Sequence, residues 1–216
     1  MSTQSDESLK RSNWITDSVV KRCFDVVASL FGLIALFPIL ILVAILVKFT
    51  SSGPILFRQQ RVGRHRKHFE LFKFRTMING AEALGRETSG TNDPRITQIG
   101  AWLRRVKLDE IPQLINVFIG DMSLVGPRPE IPFYAENYGK EDQIVLQLRP
   151  GITDLATLEM TDLDSIMLTR GEMTPAEFYL CTVQPRKLKL QRKYVLNRSF
   201  FGDILIIIRT LLKIWK

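Results

Sequence analysis

The feature that most constrains this chain is an apolar run from Val26 to Val47, interrupted only by Ser29, Gly32 and Pro38. Its 22 residues would form a helix of about 33 Å, enough to cross a hydrocarbon core of about 30 Å. Length alone therefore allows a transmembrane helix. A signal peptide is excluded, because the run starts late, is too long for a signal h-region and is followed by Lys48 instead of a small-residue cleavage site.

Basic residues flank this run on both sides, which argues against a simple crossing. The preceding ones are Lys10, Arg11, Lys21 and Arg22, and the following ones are Lys48, Arg58, Arg61, Arg64, Arg66 and Lys67. A span would place one of these clusters on the wrong side of the membrane. Pro38 removes a helical hydrogen bond and can bend the helix, so that legs of about 18 and 15 Å enter and leave one leaflet. The alternatives are a re-entrant helix and a Pro-kinked span.

The rest of the chain predicts a mainly α-helical (α+β) fold with a small β-hairpin. We divide the chain into a flexible tail (1–12), a membrane helix (13–49), a catalytic domain (50–199) and an interfacial amphipathic helix (200–216). Two apolar segments around a basic turn predict the hairpin. Two further segments, in which apolar residues recur at helical spacing, predict short amphipathic helices on either side of an acidic pair. For 200–216, a terminal helix packed on the domain core is the alternative to one lying in the membrane interface.

Composition narrows the function classes. The chain has 216 residues and a formal charge of +8, with two cysteines and two histidines. So few cysteines and histidines weaken the secreted-scaffold, zinc-finger and metalloprotease classes, but a hard cation held by carboxylates stays compatible. We expect both cysteines to be buried and reduced.

Arginines lie at breaks between the predicted elements, where phosphate-binding side chains are useful. No Walker loop or Gly-x-Gly-x-x-Gly fingerprint is present, so a phosphate site would have to use side chains. The candidates are Arg75, Arg104, Arg105, Arg128 and Arg149. Arg128 stands between two prolines, which predict a rigid turn that presents it. Solvated arginines or contacts with phospholipids are the alternative.

The acidic pair Asp109–Glu110 is the strongest carboxylate candidate. A carboxylate beside a helix N-terminus is held ionised and can attack a phosphoanhydride, while its neighbour can hold Mg²⁺ together with substrate phosphates. The structural alternative is helix capping by Asp109, with Pro112 in the first turn. Asp162 and Asp164 form an Asp-x-Asp pattern of the kind that holds metal in nucleotide-sugar glycosyltransferases, for which a solvated turn is the alternative.

Several motifs together closely resemble those of the bacterial sugar transferases of the small monotopic type, which are polyprenyl-phosphate phosphoglycosyl transferases. The resemblance covers most of the chain. The motifs are Lys21-Arg22-Cys23-Phe24-Asp25, Phe72-Lys73-Phe74-Arg75-Thr76-Met77, Asp93-Pro94-Arg95-Ile96-Thr97, Leu108-Asp109-Glu110-Ile111-Pro112-Gln113-Leu114, Gly120-Asp121-Met122-Ser123-Leu124-Val125-Gly126-Pro127-Arg128-Pro129-Glu130 and Arg149-Pro150-Gly151-Ile152-Thr153.

This resemblance implies transfer of a sugar 1-phosphate from a UDP-sugar to undecaprenyl phosphate, with release of UMP. Asp109 would carry a covalent phosphosugar and Glu110 would bind Mg²⁺. The residues assigned to substrate binding are Lys73, Arg75, Arg104, Arg128 and Arg149. The resemblance also implies a re-entrant helix, contact with phospholipids, a place on the cytoplasmic face of the bacterial inner membrane and an initiating role in glycan assembly. It leaves a homodimer open.

The sequence departs from the resembled pattern at a few positions. Many relatives have Ser where this chain has Phe37, and Gly-Trp-Ala where it reads Asp154-Leu155-Ala156; an Asp often found in the late helix is Gln191 here. Phe37 removes any help from a Ser hydroxyl in bending the helix, so Pro38 must bend it alone, and the other two departures bear on the choice of sugar.

Two other functions remain as alternatives. One is a UDP-releasing glycosyltransferase that uses Asp162 and Asp164, and the other is a non-catalytic basic scaffold bound to membrane or nucleic acid. The resemblance disfavours nucleic acid as a partner.

Overall fold

The computed structural model describes residues 2–81, 93–160, 166, 169 and 171–214, with backbone only for 2–18 and 214. The helices are α1 (Ser2–Thr50), α2 (Gln98–Arg105), α3 (Gln113–Ile119), α4 (Pro132–Ala135), α5 (Leu155–Glu159), α6 (Pro175–Phe178), α7 (Gln184–Asn197) and α8 (Phe200–Ile214). The strands are β1 (Leu56–Val62), β2 (His68–Phe74), β3 (Ser123–Val125) and β4 (Gly151–Thr153). Short 3₁₀ turns cover Arg64–Arg66, Leu108–Glu110 and Lys140–Gln147, and a π-helical turn, Tyr179–Val183, joins α6 to α7.

Helix α1 contains the apolar run and continues on both sides of Pro38. Its segment Val19–Thr50 is long and apolar enough to cross a membrane, and its large side chains are largely exposed, with Phe31 at 72% and Phe49 at 85%. The helix begins at Ser2 and so runs through residues 2–12, which the sequence assigns to a flexible tail, and that division of the chain stays a prediction. Adding a residue to an existing helix costs far less than nucleating one, so polar residues can continue it.

Both ends of this apolar segment contact the same globular part of the chain. Near its start, Lys21 pairs with Asp203 of α8, and Arg22 donates hydrogen bonds to carbonyl groups of α3. Near its end, Val43 and Val47 pack in a cluster that includes Phe74, Leu103, Leu56 and Ile99. Helix α1 therefore lies against the domain instead of leading away from it.

The predicted hairpin and both amphipathic helices are confirmed. Strands β1 and β2 pair antiparallel, with Leu56 opposite Phe74 and Val62 opposite His68. Thr97 caps α2, because its side chain accepts a hydrogen bond from the Gly100 N–H, and α3 ends at Gly120 in the left-handed conformation. This pair of helices places the acidic pair in the short turn between them.

Strands β3 and β4 pair in parallel and hold the proline-flanked turn beside them. The two backbones approach so closely that side chains would not fit. A Cβ on Gly126 would lie 2.4 Å from the carbonyl oxygen of Arg149, and one on Gly151 would lie 2.1 Å from the Gly126 nitrogen. Glycine at both positions therefore lets the turn that carries Arg128 lock against β4. The prediction that this turn is not helical is confirmed.

Helix α8 covers one side of this small sheet and leaves an apolar face exposed. Ile206 is buried against Val125, Tyr194 and Val195, whereas Phe201, Leu205, Ile208, Leu211 and Leu212 are exposed. The helix thus packs on the core with one face, as in the packed alternative, and keeps an apolar face outside it, as an interfacial helix needs. The expectation of buried cysteines is wrong: Cys23 and Cys181 are both free and exposed.

Candidate active site

The acidic pair lies in the 3₁₀ turn between α2 and α3. Lys107, just before this turn, has a positive φ of 57°, so its backbone is in the left-handed region. The chain therefore changes direction between α2 and the turn. Asp109 is buried and Glu110 is half-buried, so both carboxylates are turned toward the domain instead of toward bulk solvent. The turn is thus placed to meet side chains from β2 and from the proline-flanked turn.

Glu110 is held between two cations from distant parts of the chain. Its Oε1 accepts a 2.8 Å hydrogen bond from Lys73 Nζ of β2 and another from the Arg128 guanidinium, which also contacts Oε2 at 3.3 Å. Burial alone would raise the pKa of Glu110, but the charges of Arg128 and Lys73 outweigh it and hold this pKa well below its usual value. Glu110 is therefore a fixed anion at neutral pH.

The same network keeps Lys73 and Arg128 in place. Burial lowers the pKa of Lys73, and the Glu110 charge opposes that effect. Glu110 raises the pKa of Arg128, and the Asp154 charge raises it further. The Arg128 guanidinium also donates to the Ile152 carbonyl oxygen at 3.1 Å, which fixes its orientation between Glu110 and β4.

Asp109 differs from its neighbour, because it is buried without a neutralising hydrogen bond on one oxygen. Its exposure is 6%, and its Oδ1 has no hydrogen-bond partner within the residues that the structure describes. Burial raises the pKa of Asp109, and the Lys73 charge partly opposes this rise. Helix α3 begins without a side-chain cap, so the alternative that Asp109 caps it is wrong. A desolvated carboxylate with a free lone pair is what a nucleophile requires.

Arg104 joins this group through α2. Its Nε donates to the Thr76 hydroxyl at 2.9 Å, and its charge lowers the pKa of Asp109. The structure thus brings together Lys73, Arg104, Asp109, Glu110 and Arg128, which are five of the seven predicted site residues.

The other two predicted residues, Arg75 and Arg149, sit at helix ends. Arg75 is buried and donates to the carbonyl oxygens of Val47, Ser51 and Pro54 and to the Ser51 hydroxyl, all around the end of α1. Arg149 donates from Nε to the Gly120 carbonyl oxygen at 2.8 Å, at the end of α3. Both satisfy carbonyl groups that helix ends leave unpaired. Phosphate binding by these two arginines stays a prediction.

Sequence reasoning missed two groups that support the site. Asp154 accepts a hydrogen bond from the Arg128 N–H at 3.1 Å and another from Gln191 at 2.9 Å. Glu130, two residues after Arg128, accepts hydrogen bonds from Tyr179 and Lys187. Two signals in the sequence could have found these groups. Glu130 belongs to the proline motif, and Asp154 and Gln191 are departures from the resembled family pattern. Asp162 and Asp164 lie outside the described residues.

The carboxylates of Glu110 and Asp109 are compatible with a magnesium ion that is held mainly by substrate. The described residues contain no group of three or more Asp, Glu, His or Cys side chains that could hold a metal. Mg²⁺, however, commonly uses one or two carboxylates together with substrate phosphates and water. Among the described residues, the contact of Glu110 Oε2 is a 3.3 Å hydrogen bond from Arg128, and Asp109 Oδ1 is buried without a partner, so Glu110 Oε2 is the oxygen that such a hard cation would use.

Comparison with known proteins gives a family-level match. The model of the family described as "Bacterial sugar transferase" matches residues 16–216, which include every residue of the site described above. The match extends from within α1 to the end of the chain.

Relatives with assigned names cover most of this chain. It is 40% identical over 208 residues (93% of this chain, 36% of the relative) to the undecaprenyl-phosphate glucose phosphotransferase of Komagataeibacter xylinus. It is 30% identical over 197 residues (89% and 43%) to an undecaprenyl-phosphate N-acetylgalactosaminephosphotransferase of Aeromonas hydrophila that uses UDP-N-acetylgalactosamine by its name. Exopolysaccharide production protein ExoY of Rhizobium meliloti is 33% identical over 208 residues (89% and 84%). The chain thus spans less than half the length of the first two.

Proposed function

Because this chain belongs to the bacterial sugar transferase family, we propose that it transfers a sugar 1-phosphate from a UDP-sugar to undecaprenyl phosphate and releases UMP. The products would be undecaprenyl-diphosphate-sugar and UMP, as in the first membrane step of glycan assembly. The names of the relatives supply the acceptor and two hexose types, glucose and N-acetylgalactosamine.

The observation that best supports this proposal is the contrast between the two adjacent carboxylates. Glu110 is neutralised by Lys73 and Arg128, whereas the neighbouring Asp109 is buried with an Oδ1 that has no hydrogen-bond partner in the described part of the chain. Cations are thus concentrated where the phosphates of a diphosphate would lie, and a desolvated nucleophile stands beside them. A merely structural acidic pair would have both carboxylates neutralised.

The proposed reaction has two displacements at one phosphorus. Asp109 attacks the β-phosphorus of the UDP-sugar, the bond to the bridging oxygen breaks, and UMP leaves with that oxygen and its electron pair. An oxygen of undecaprenyl phosphate then attacks the phosphorus of the aspartyl phosphosugar, which frees the Asp109 carboxylate. Arg128 and Lys73 hold phosphate oxygens and stabilise the charge that develops on them.

We propose that Glu110 holds Mg²⁺, with Asp109 as the neighbouring carboxylate. The ion would supply charge neutralisation on the leaving nucleotide. Glu110 would keep Lys73 and Arg128 beside the phosphates, because both cations are already paired with its Oε1.

We also propose that the protein is monotopic and lies on the cytoplasmic face of the bacterial inner membrane, against phospholipids. Two contacts support this topology: Lys21 and Val47, on either side of the exposed apolar segment, both contact the same domain. A straight crossing would separate its two ends by the bilayer. Single cysteine labels before Lys21 and after Lys48, placed in a chain without Cys23 and Cys181, should react from the same side. Labelling from opposite sides would contradict this topology.

The experiment that tests the reaction is nucleotide release from a panel of UDP-sugars, for the wild type beside Asp109→Asn. With undecaprenyl phosphate and Mg²⁺, the wild type should release UMP, and without acceptor it should release at most about one UMP per enzyme. Asparagine cannot form the acyl phosphate, so a folded Asp109→Asn variant should release none. Equal activity of both proteins would make Asp109 structural.

The nucleotide itself separates the alternatives. Release of UDP would support the glycosyltransferase that uses Asp162 and Asp164, and a wild type that releases neither nucleotide from any UDP-sugar would contradict both enzymes. A non-catalytic basic scaffold predicts binding that falls steeply with salt and does not depend on Asp109.

A further inference from the structure

A buried polar pair lies directly behind Arg128. Asp154, at the start of α5, is 1% exposed, and Gln191, in α7, is 0% exposed. Gln191 Nε2 donates to Asp154 Oδ2 at 2.9 Å. These two residues are also positions where the sequence departs from the resembled family pattern, so two separate departures meet in one contact.

Asp154 connects three segments through its two oxygens. Oδ1 accepts hydrogen bonds from the N–H and the hydroxyl of Thr157, both at 2.6 Å, and so caps α5. Oδ2 accepts from the Arg128 N–H at 3.1 Å as well as from Gln191. One carboxylate therefore joins the start of α5, the middle of α7 and the turn that presents Arg128.

Arg128 is held at both ends by this arrangement. Its N–H is bonded to Asp154, its carbonyl oxygen lies 3.4 Å from Gln191 Nε2, and its guanidinium is bonded to Ile152 and Glu110. The Pro127 and Pro129 peptide units offer no N–H groups, so the Arg128 N–H is the donor by which this part of the turn can be fixed. Asp154 is the side chain that accepts from it.

The amide nitrogen of Gln191 makes hydrogen bonds, whereas its amide oxygen makes none among the described residues. Its Oε1 is buried without a hydrogen-bond partner within the described residues, which is costly. The Nε2 group, by contrast, reaches both Asp154 and the Arg128 carbonyl oxygen. An orientation that leaves Oε1 without a partner does not satisfy the amide as a whole. It is explained by the two acceptors that Nε2 reaches, both of which hold the turn of Arg128.

We propose that Asp154 and Gln191 are a pair of positioning residues that hold Arg128 in register with the substrate phosphates, with the carboxylate of the pair on the β4–α5 turn and its donor on α7. The proposal rests on the proposed function, because it assigns Arg128 to the phosphates of that reaction. The two residues would act through Arg128 and would not touch substrate.

The first test compares two single variants with the double variant, measured as kcat/KM for UMP release. Asp154→Asn places an amide donor against the Arg128 N–H and the Gln191 amide, and Gln191→Glu places two buried carboxylates in contact; each should lower kcat/KM on the order of tenfold to a hundredfold. The double variant Asp154→Asn/Gln191→Glu restores a contact between the two positions, but it leaves the Arg128 N–H without the Asp154 acceptor and the Arg128 carbonyl oxygen without the Gln191 donor. It should therefore stay at least about fivefold below the wild type in kcat/KM.

The matched control is Thr157→Val, which removes a hydroxyl donor to Oδ1 of the same aspartate and leaves Oδ2 intact. It should weaken the cap of α5 and lower Tm while kcat/KM stays within about twofold. If Thr157→Val lowers kcat/KM as much as Asp154→Asn, or if the double variant returns to the kcat/KM of the wild type, then the pair matters only for its own contact and for folding, and the proposal is overturned.

The second test asks whether the pair acts through Arg128. In an Arg128→Ala background, assayed with excess enzyme for a single turnover, Asp154→Asn should cost less than about twofold more, because no guanidinium is left to orient. A full additional loss would mean that Asp154 acts elsewhere. A wild type that releases no UMP would instead remove the proposed function, so the two failures are distinguishable.

Discussion

The predicted arginines fall into two regions of the molecule that use the same side chain in opposite ways. In the first region, Arg128 meets a carboxylate of the acidic pair, and Arg104 lies close enough for its charge to lower the pKa of Asp109. In the second, Arg75 and Arg149 donate to backbone carbonyl groups at the ends of α1 and α3. An arginine between two secondary-structure elements is therefore expected to find a hydrogen-bond acceptor. Its position does not predict whether that acceptor is a carboxylate or a backbone carbonyl group.

The physical difference lies in what a ligand would have to displace. A phosphate that reaches Arg128 competes with Glu110, itself an anion that Lys73 still neutralises if Arg128 turns away. A phosphate that reaches Arg75 would have to leave buried carbonyl oxygens without donors, each at a cost of about 1–3 kcal/mol. Arg128 can thus exchange the Glu110 carboxylate for a phosphate, whereas Arg75 is needed to stabilise the folded structure.

The largest effect should come from Arg128→Ala. We expect kcat/KM for UMP release to fall by about 10²–10³-fold, because the variant loses a preorganised donor fork beside the reacting phosphate. Arg128→Lys should recover only part of this loss, since a lysine keeps the charge but cannot bind two oxygens in a fixed plane. Full activity of Arg128→Ala would remove the distinction between the two regions.

The second prediction concerns Arg75→Met, which keeps the aliphatic volume and removes the donors. The variant leaves the carbonyl groups of Val47, Ser51 and Pro54 short of partners, so Tm should drop by about 5–10 °C, equivalent to about 2–3 kcal/mol. The kcat/KM of the protein that remains folded should stay within about threefold of the wild type. A large loss of kcat/KM at unchanged Tm would mean that Arg75, like Arg128, acts on the substrate phosphates.

Arg149→Met should give a smaller effect of the same kind. Arg149 donates a hydrogen bond to Gly120, while Arg22 still donates to Val117 and Phe118 at the same helix end. We expect a loss of about 1 kcal/mol, seen as a Tm about 2–4 °C lower, and an unchanged KM for the UDP-sugar. A raised KM with unchanged Tm would instead support the phosphate-binding role that the family resemblance implies.

These contrasts also mark how far the sequence alone could predict the structure. The hairpin, α2, α3 and the non-helical turn of Arg128 follow from local patterns, because periodicity and proline act over a few residues. Residues 2–12 show the limit of such patterns: composition describes a segment in isolation, whereas this segment extends a helix that other residues stabilise, and its assignment as a flexible tail stays a prediction.

Side-chain partners are set by long-range packing and could not be read from the pattern. Lys73 and Glu110 are 37 positions apart, Arg75 and Val47 are 28 apart, and Asp154 and Gln191 are 37 apart. A single sequence offers no spacing rule over such distances. The acidic pair could be found because its two members are adjacent, and their different surroundings became visible only once the chain was folded.

The smallest effect should be a change in the pH profile of Lys73→Met. Burial raises the pKa of Asp109, and Lys73 gives the largest opposing charge, so its removal should raise this pKa further. Asp109 attacks only when ionised, so the rate falls as pH drops through its pKa, and the acid limb of Lys73→Met should lie at higher pH than that of the wild type. For stability the sign is opposite: a raised carboxyl pKa favours the folded state at low pH, and this contribution is lost as pH rises through the folded pKa.

The profile should be measured as the single-turnover release of UMP without acceptor, because the phosphate of undecaprenyl phosphate also titrates and would add its own pH dependence. Arg75→Met serves as the control, since the charge of Arg75 is not among the largest influences on the pKa of Asp109. Its acid limb should coincide with that of the wild type. If Lys73→Met lowers the rate at every pH without moving the acid limb, then Lys73 only binds phosphate, and the protonation of Asp109 does not limit the first displacement.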